Sequence, residues 1–357
     1  MERRLFANKH DRKTQVQRKQ RTWNRFSVWV LLWMMTLGIC SAGTVWAQYA
    51  DSYGGTGYVG VGGYVPTAME SKYTEWDGRF LPGRGRPLPN DSNQPWTWQA
   101  MPTGILFHAY QADNKESRLS GHVPYEFESK EWLWDPTLGG RFALVRYGNK
   151  SALYPEGFQI DVEGAVIARM ALNHKWDMWG SDYRFGLPFT YRYQNFEYKF
   201  GYYHISSHRG DELMQDYYNQ TKDESGRGLC YRRNYVRDCL EFGIGYRPDA
   251  NWRFFTGFDY ALNIDEGADR WQFKLGAEYS PILLPCGSGA PFLSVFMHWS
   301  QETDYNTNFC IQTGWQWRTL YQHVLRFGGY YMNAYGDQYQ FYYQHEKQLG
   351  IGLWFDY

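Results

Sequence analysis

The sequence predicts an all-β protein, an antiparallel transmembrane β-barrel of about twelve strands. Three observations support this fold class. The carboxy-terminal residues are apolar at every second position, segments with the same period recur along most of the chain, and the composition combines many aromatic residues and glycines with a low mean hydropathy of −0.64. Each observation is local in sequence, and together they describe strands that present one face to lipid.

The last nine residues show the alternation most clearly. The apolar positions are Leu349, Ile351, Leu353, Phe355 and Tyr357. A period of two indicates a β-strand with one apolar face. The pattern resembles the closing strand of bacterial outer-membrane barrels, which the barrel-assembly machinery reads. Membrane lipids and that machinery are therefore the expected partners, and the expected location is the outer membrane of a Gram-negative-type bacterium.

The composition fits the same prediction. Aromatic residues make up 20% of the chain, with 31 Tyr and 17 Trp, and no apolar run of 18 residues follows the first 47 residues. Abundant Tyr, Trp and Gly are typical of barrel strands with aromatic girdles at both membrane interfaces. A soluble, Tyr-rich sandwich is the alternative that composition leaves open.

The amino terminus is predicted to be a signal peptide over residues 1–47. Nine Lys and Arg against two acids within residues 1–25 precede a short apolar run, Val28–Cys40, and a small-x-small site that ends at Ala47. The run is shorter than the ~20 residues a membrane-spanning helix needs, although an uncleaved anchor stays open. Residues 48–103, rich in Gly, Pro and Trp, are predicted to be a periplasmic segment, and residues 104–357 the outer-membrane barrel.

Removal of the signal would leave 28 basic and 35 acidic residues, a net charge of −7. The mature chain has no basic patch, which argues against a nucleic-acid partner. Four cysteines would remain, at 230, 239, 286 and 310. Their spacing matches no zinc motif, and their pairing stays open.

Thirteen period-two segments follow residue 104, beginning with 104–111 and 116–123. Because single-chain barrels have an even number of strands, we expect the first two segments to merge or one of them to lie outside the sheet. The polar faces carry charges of both signs, which favours a lumen filled with hydrogen-bonded side chains over a wide pore. The short connections 193–194 and 248–250 are expected in the periplasm and the long connection 207–230 outside the cell.

One segment carries a motif with chemical meaning, Gly201-Tyr202-Tyr203-His204-Ile205-Ser206-Ser207-His208-Arg209-Gly210-Asp211-Glu212. It resembles the outer-membrane phospholipase A family, whose motif places a His, a Ser, an Arg and an Asp at the positions of His204, Ser206, Arg209 and Asp211. Over most of residues 95–357 the chain also resembles an uncharacterised family of outer-membrane barrels with the motif His-x-Ser-Ser-His-x-Gly-Asp-Glu. The first resemblance implies serine-type acyl-ester chemistry, and the second implies no activity.

The alternation gives these residues a shared face. His204 and Ser206 follow the aromatic positions 196, 198, 200 and 202 and should point toward the outer leaflet. Their Cβ atoms would lie about 6–7 Å apart, which allows the imidazole to act as general base for the Ser206 hydroxyl.

The phospholipase resemblance implies that an Asn at the start of the next strand orients the His, and Asn234 matches that place. Asn219 and Glu224, in a connection longer than that of the phospholipases, are alternative orienting groups. In the following strand, Asp238 is the one charged residue on an otherwise apolar face.

Metal binding is a secondary expectation. The phospholipase resemblance implies calcium, which Asp211 and Glu212 could ligate together with backbone carbonyls, but Met214 stands where that family has a loop Ser. A transition-metal site with His204, His208, Asp211 and Glu212 is the other metal hypothesis.

The sequence thus supports two function hypotheses. The first is a lipid acyl-ester hydrolase of the outer leaflet with Ser206, His204 and Asn234 as its catalytic residues. The second is a non-enzymatic barrel with a binding, transport or structural role. A homodimer is compatible with either hypothesis.

Overall fold

The computed structural model describes residues 76–89, 94–151, 153–221, 235–283, 289–318 and 323–357. The predicted signal peptide and the first part of the predicted periplasmic segment, residues 48–75, lie outside these ranges. Cys230 and Cys286 also lie outside them. The two described cysteines, Cys239 and Cys310, are buried and free.

The described chain forms a closed antiparallel barrel, which confirms the predicted fold class. The strands are β1 (Thr97–Ala100), β2 (Leu119–Glu126), β3 (Glu131–Gly148), β4 (Gly157–Ala171), β5 (Asp177–Tyr193), β6 (Phe196–Arg209), β7 (Tyr235–Tyr246), β8 (Trp252–Asp265), β9 (Trp271–Tyr279), β10 (Ala290–Ser300), β11 (Asn308–Arg318), β12 (Val324–Tyr335) and β13 (His345–Asp356). Strands β2 to β13 pair in sequence order, and β13 closes the barrel by pairing with β2. The short β1 pairs with the end of β3.

One α-helix, α1 (Asp211–Gln220), lies in the described part of the connection between β6 and β7. The described part of the chain also contains three short 3-10 turns in other connections, at Leu172–His174, Gln301–Thr303 and Tyr339–Phe341. Among the described residues, no helix is long and apolar enough to cross a bilayer.

Side-chain alternation along each strand separates a lipid-facing wall from a charged interior. In β8, Phe254 and Thr256 are exposed, whereas the alternating positions Arg253 and Phe255 are buried. Arg253 forms ion pairs inside the barrel with Glu197 of β6 and, at 3.2 Å, with Glu278 of the neighbouring strand β9. A buried charge is tolerated only when it is paired and hydrogen-bonded, so these networks confirm the predicted filled lumen.

The lumen also contains a stretch of the chain itself, residues 104–118, here called the lumen segment. Its first half is the period-two segment 104–111, which lies outside the sheet, one of the two expected outcomes, and the first of the twelve barrel strands begins at Leu119. Arg118 donates hydrogen bonds to the carbonyl oxygens of Tyr110, Gln111 and Asp113 at 2.6, 2.7 and 3.1 Å. These bonds close the segment on itself, and backbone groups satisfied in this way do not need a strand partner.

The two ends of the barrel differ in their connections. At the helix end, which carries α1, the connection 336–344 turns back into the barrel, where the ring of Tyr339 stacks on Tyr235 with centroids 4.9 Å apart. Asn114 of the lumen segment donates to Asp337 of this connection at 2.8 Å. At the other end, which carries the carboxy terminus, β5 and β6 are joined by only two residues, 194 and 195. The lumen segment and connection 336–344 therefore occupy the interior together.

Candidate active site on the lipid-facing wall

Strand β6 places His204 and Ser206 on the outer wall, near the helix end. The burial along β6 alternates strictly, so Tyr203, Ile205 and Ser207 point into the lumen while His204 and Ser206 point outward. His204 keeps 39% of its side chain exposed, which leaves it reachable from the membrane. The predicted shared face of the His and the Ser is thus present in the structure.

The imidazole has a carboxylate partner on the next strand. His204 Nδ1 lies 2.8 Å from Asp238 Oδ1, and the two residues are directly opposite each other in the β6–β7 pairing. An ionised carboxylate only accepts hydrogen bonds, so the hydrogen of the ring is held on Nδ1. Nε2 is then left as the acceptor, which is the tautomer that a general base requires.

Asp238 is itself held in place by two further donors. The hydroxyl of Tyr202 donates to Oδ1 at 2.7 Å, and the side-chain amide of Asn263 donates to Oδ2 at 3.2 Å. Tyr202 precedes His204 by two residues on the same face of β6, and Asn263 faces Asp238 from β8. Three strands thus fix the carboxylate, and through it the imidazole.

Ser206 lies beside this pair, one outward position further along β6. Its hydroxyl forms no hydrogen bond within the described residues. The catalytic hydrogen bond between a nucleophile and its base is often long or absent without substrate. The adjacent Ser207 is different, because it faces the lumen, hydrogen-bonds to Asp182 and receives a hydrogen bond from the backbone N–H of Gln340 at 3.0 Å. Of the two serines, only Ser206 is free to react at the lipid-facing wall.

The residue that the structure places against His204 differs from the three orienting residues considered from the sequence. Asn234 and Glu224 lie outside the described residues. Asn219 lies on α1, where its side chain accepts a hydrogen bond from Gln215 at 3.3 Å. The residue that contacts His204 in the structure is Asp238, whose only sequence signal is a carboxylate that interrupts an apolar outward face. An ionisable residue on a lipid face is costly and usually functional.

The candidate metal ligands are not brought together. Among the described residues, the one group of three or more such side chains whose ligand atoms lie within 4.8 Å of one another is His122, Asp135 and Asp337 in the lumen. His208 packs instead against the ring of Tyr183, with centroids 5.7 Å apart, and Asp211 and Glu212 are in the exposed first turn of α1. The structure therefore shows no assembled metal site at these three residues.

The lumen group is already engaged with a cation of the protein. Arg169 donates hydrogen bonds to both carboxylates, at 2.7 Å to Asp135 and 3.1 Å to Asp337. A guanidinium in this position neutralises the carboxylates, and we assign no ion to them.

Comparison with known proteins gives a family and several similar folds. Residues 91–357 match the model of the family described as Protein of unknown function (DUF1207). No curated protein sequence matches the chain. Outer membrane phospholipase A from Escherichia coli is similar in structure, with a TM-score of 0.43 and 13% identity over 67% of this chain and 96% of that chain. A calcium-bound dimer of the outer membrane phospholipase from Salmonella typhi gives a TM-score of 0.40 and 12% identity over 66% and 89% of the two chains.

Proposed function

Because the chain belongs to the DUF1207 family, whose description assigns no activity, its function must be argued from its own site, and we propose that it is an outer-membrane serine hydrolase acting on acyl esters of outer-leaflet lipids. One observation carries the proposal: the 2.8 Å hydrogen bond between His204 and Asp238 beside an unengaged Ser206, on the lipid-facing wall of the barrel. At this position the site would face the ester groups of membrane phospholipids, which are therefore the proposed substrate class.

The arrangement offers a nucleophile, a general base and a carboxylate that orients the base. The Ser206 oxygen attacks the ester carbonyl while its proton passes to His204 Nε2, and Asp238 stabilises the imidazolium that forms. Collapse of the tetrahedral intermediate breaks the ester bond, and the leaving alcohol takes the proton from Nε2. Water then attacks the acyl-enzyme with the same base, which releases the fatty acid and restores Ser206.

The interior of the barrel gives less support to a transport role. The lumen segment crosses the space that a solute would need, and it is tied to the wall by Lys115, whose Nζ lies 2.5 Å from Asp182, and by the hydrogen bond from Arg326 to the carbonyl of Gln111 at 3.1 Å. The groups suited to chemistry lie on the outer wall instead, where lipid is the available substrate.

The test is a comparison of purified, refolded full-length barrels on phospholipid in mixed micelles, with calcium and with a chelator. Wild type should release fatty acid and Ser206→Ala should not. Thr313→Ala is the matched control, because Thr313 also presents a hydroxyl on the outer wall, far from the site on β11. A fluorophosphonate probe should label wild-type Ser206. Wild type that neither hydrolyses phospholipid nor takes the probe would rule out the proposal.

A further inference from the structure

The outer wall is not uniformly convex. A groove of about 760 Å³ crosses its strands on the side that carries the candidate site. Its outward-facing lining is almost entirely apolar and includes Tyr198, Phe200, Phe242, Ile244, Thr256 and Phe258. A volume of this size lies within the usual range for small-molecule pockets.

Two facing glycines contribute to the lining of the groove. Gly243 and Gly257 face each other on β7 and β8 and point into the lumen. A Cβ atom at Gly243 would lie 2.5 Å from the hydroxyl oxygen of Tyr110, and one at Gly257 would lie 3.2 Å from it. With no side chains there, the wall lies directly against the lumen segment. Thr256, a small outward-facing residue next to Gly257, also lines the groove, and this part of the groove is here called the recess.

The groove leads toward the candidate site along a single pair of strands. In the β6–β7 pairing, Phe200 lies opposite Phe242 at the groove, Tyr202 lies opposite Leu240, and His204 lies opposite Asp238. The rings of Phe200 and Phe242 are 4.8 Å apart, and those of Phe242 and Phe258 are 4.7 Å apart, which forms an aromatic rim. His204 is the fourth residue after Phe200 along β6, a distance of about 13 Å.

We propose that this groove binds one acyl chain of the ester that Ser206 attacks, so that the substrate is a long-chain lipid. The inference rests on the proposed function. The occupant follows from three properties: the lining is apolar, the surface faces lipid, and the aromatic rim lies on the same two strands as the His204–Asp238 pair. Holding the chain in the groove brings its ester to the nucleophile and reduces the entropy that the reaction must otherwise lose.

The first test fills the groove without touching the candidate site. Thr256→Phe places an aromatic ring in the recess, and Ile351→Phe adds the same ring to the exposed wall of β13, away from the groove. We expect Thr256→Phe to lower kcat/KM for long-chain phospholipids by at least about tenfold and to leave short-chain esters unchanged. Ile351→Phe should change neither. An equal effect on both chain lengths, or none, would overturn the proposal.

The second test does not depend on hydrolysis. A phospholipid with a diazirine within its acyl chain is photolysed with wild type and with Thr256→Phe in detergent micelles, and the labelled peptides are identified by mass spectrometry. Labelling should concentrate on Thr256 and Phe258 in wild type and fall in the variant. Uniform labelling of the wall, or a crosslinked dimer that shields the groove, would overturn the proposal. Concentrated labelling without any hydrolysis would instead overturn the proposed function and leave the lipid site in place.

Discussion

At the scale of single residues, the molecule accepts a carboxylate on a lipid-facing wall. The cost of Asp238 is reduced because three neighbours hydrogen-bond to it: His204, Tyr202 and Asn263. A hydrogen bond with only a structural role would not require the carboxylate of Asp238, the imidazole of His204 and the unbonded hydroxyl of Ser206 on one face of the wall. The combination is the arrangement that nucleophilic catalysis requires.

The first prediction concerns Ser206 and His204 as one unit. Ser206→Ala and His204→Ala should each lower kcat by about 10⁴-fold or more, and the double variant should be no worse than either, because members of one catalytic unit fail together. The measurement is steady-state hydrolysis of a phospholipid by the three variants. Multiplicative losses would contradict the assignment. Circular dichroism should show intact barrels, since neither side chain belongs to the lumen network.

The second prediction separates Asp238 as an acceptor from Asp238 as a charge. Asp238→Leu should lower kcat/KM by about 10²- to 10⁴-fold, because the imidazole loses the partner that fixes its tautomer. Asp238→Asn should lose less. Its carbonyl oxygen can occupy the Oδ1 place, where both His204 and Tyr202 donate, and the Asn263 amide can turn to accept from its NH2 group. Equal losses in the two variants would mean that His204 requires the negative charge of Asp238 and not only a hydrogen-bond acceptor.

At the scale of elements, β13 and the lumen segment depend on each other. Asp356, the last residue of β13, forms ion pairs with Arg326 of β12 at 2.8 Å and with Arg118 of the lumen segment at 3.1 Å. The alternation of β13 places Leu349, Ile351, Leu353 and Phe355 outward, and Trp354 and this acid inward. The closing strand therefore serves both as a lipid-facing edge and as an anchor for the lumen segment.

The third prediction tests the closing strand. Deletion of residues 355–357 should leave the protein aggregated in the periplasm, because it removes the terminal aromatic residues and exposes backbone groups that lipid cannot satisfy. It also leaves the buried guanidinium groups of Arg118 and Arg326 without their carboxylate partner. Asp356→Asn keeps the strand and its aromatic residues. It should insert, but lose about 2–4 kcal/mol of stability. Heat-modifiable electrophoretic migration distinguishes the folded barrel expected of Asp356→Asn from the aggregated truncation. A truncated protein that folds normally would contradict the role of β13 in closing the barrel.

The fourth prediction tests the lumen segment. Arg118→Met should lower the free energy of unfolding in urea by about 3 kcal/mol, because Asp356 loses one of its partners and three backbone carbonyls lose their donor. Loosening the segment should also raise leakage of small solutes from liposomes that contain the barrel. Leu119→Met, a change on the wall next to it, is the control. Unaltered stability and leakage would mean that Arg118 does not hold the segment in place.

At the scale of the whole molecule, the barrel has two unequal ends. The connection with α1 is at the end nearer to Ser206, and the two-residue turn after Tyr193 is at the other end. Outer-membrane barrels have short turns in the periplasm and long loops outside. This orientation would set the site in the outer leaflet, as the proposed function requires.

The fifth prediction tests that orientation. Trypsin applied to intact cells should cut between β6 and β7, within residues 210–234, because the longest connection should face outward. Arg84, which is exposed at the opposite end of the barrel beside Asp249, should be protected until the cells are opened. Cleavage at Arg84 in intact cells would reverse the orientation and place the His204–Asp238 pair in the inner leaflet.

Much of this molecule is determined locally. The period of two gave the strands, their apolar faces and the shared outward face of His204 and Ser206, because the side of a strand on which a residue lies depends only on its position along that strand. The mixed charges on the inward faces likewise indicated a filled lumen. These features need no knowledge of which strands are neighbours.

The rest required the tertiary structure. Asp238 meets His204 because of the register between β6 and β7, and the connection between these strands is too long for its length to determine that register. Polar and apolar residues alternate in the lumen segment enough to resemble a strand. Its backbone, however, forms hydrogen bonds within the segment and with side chains from distant strands, such as Arg326. The groove is lined in part by two glycines on separate strands that meet against Tyr110. Sequence determined the face of each residue, whereas the closed barrel decided which residues meet, because pairing across a sheet depends on contacts far apart in the chain.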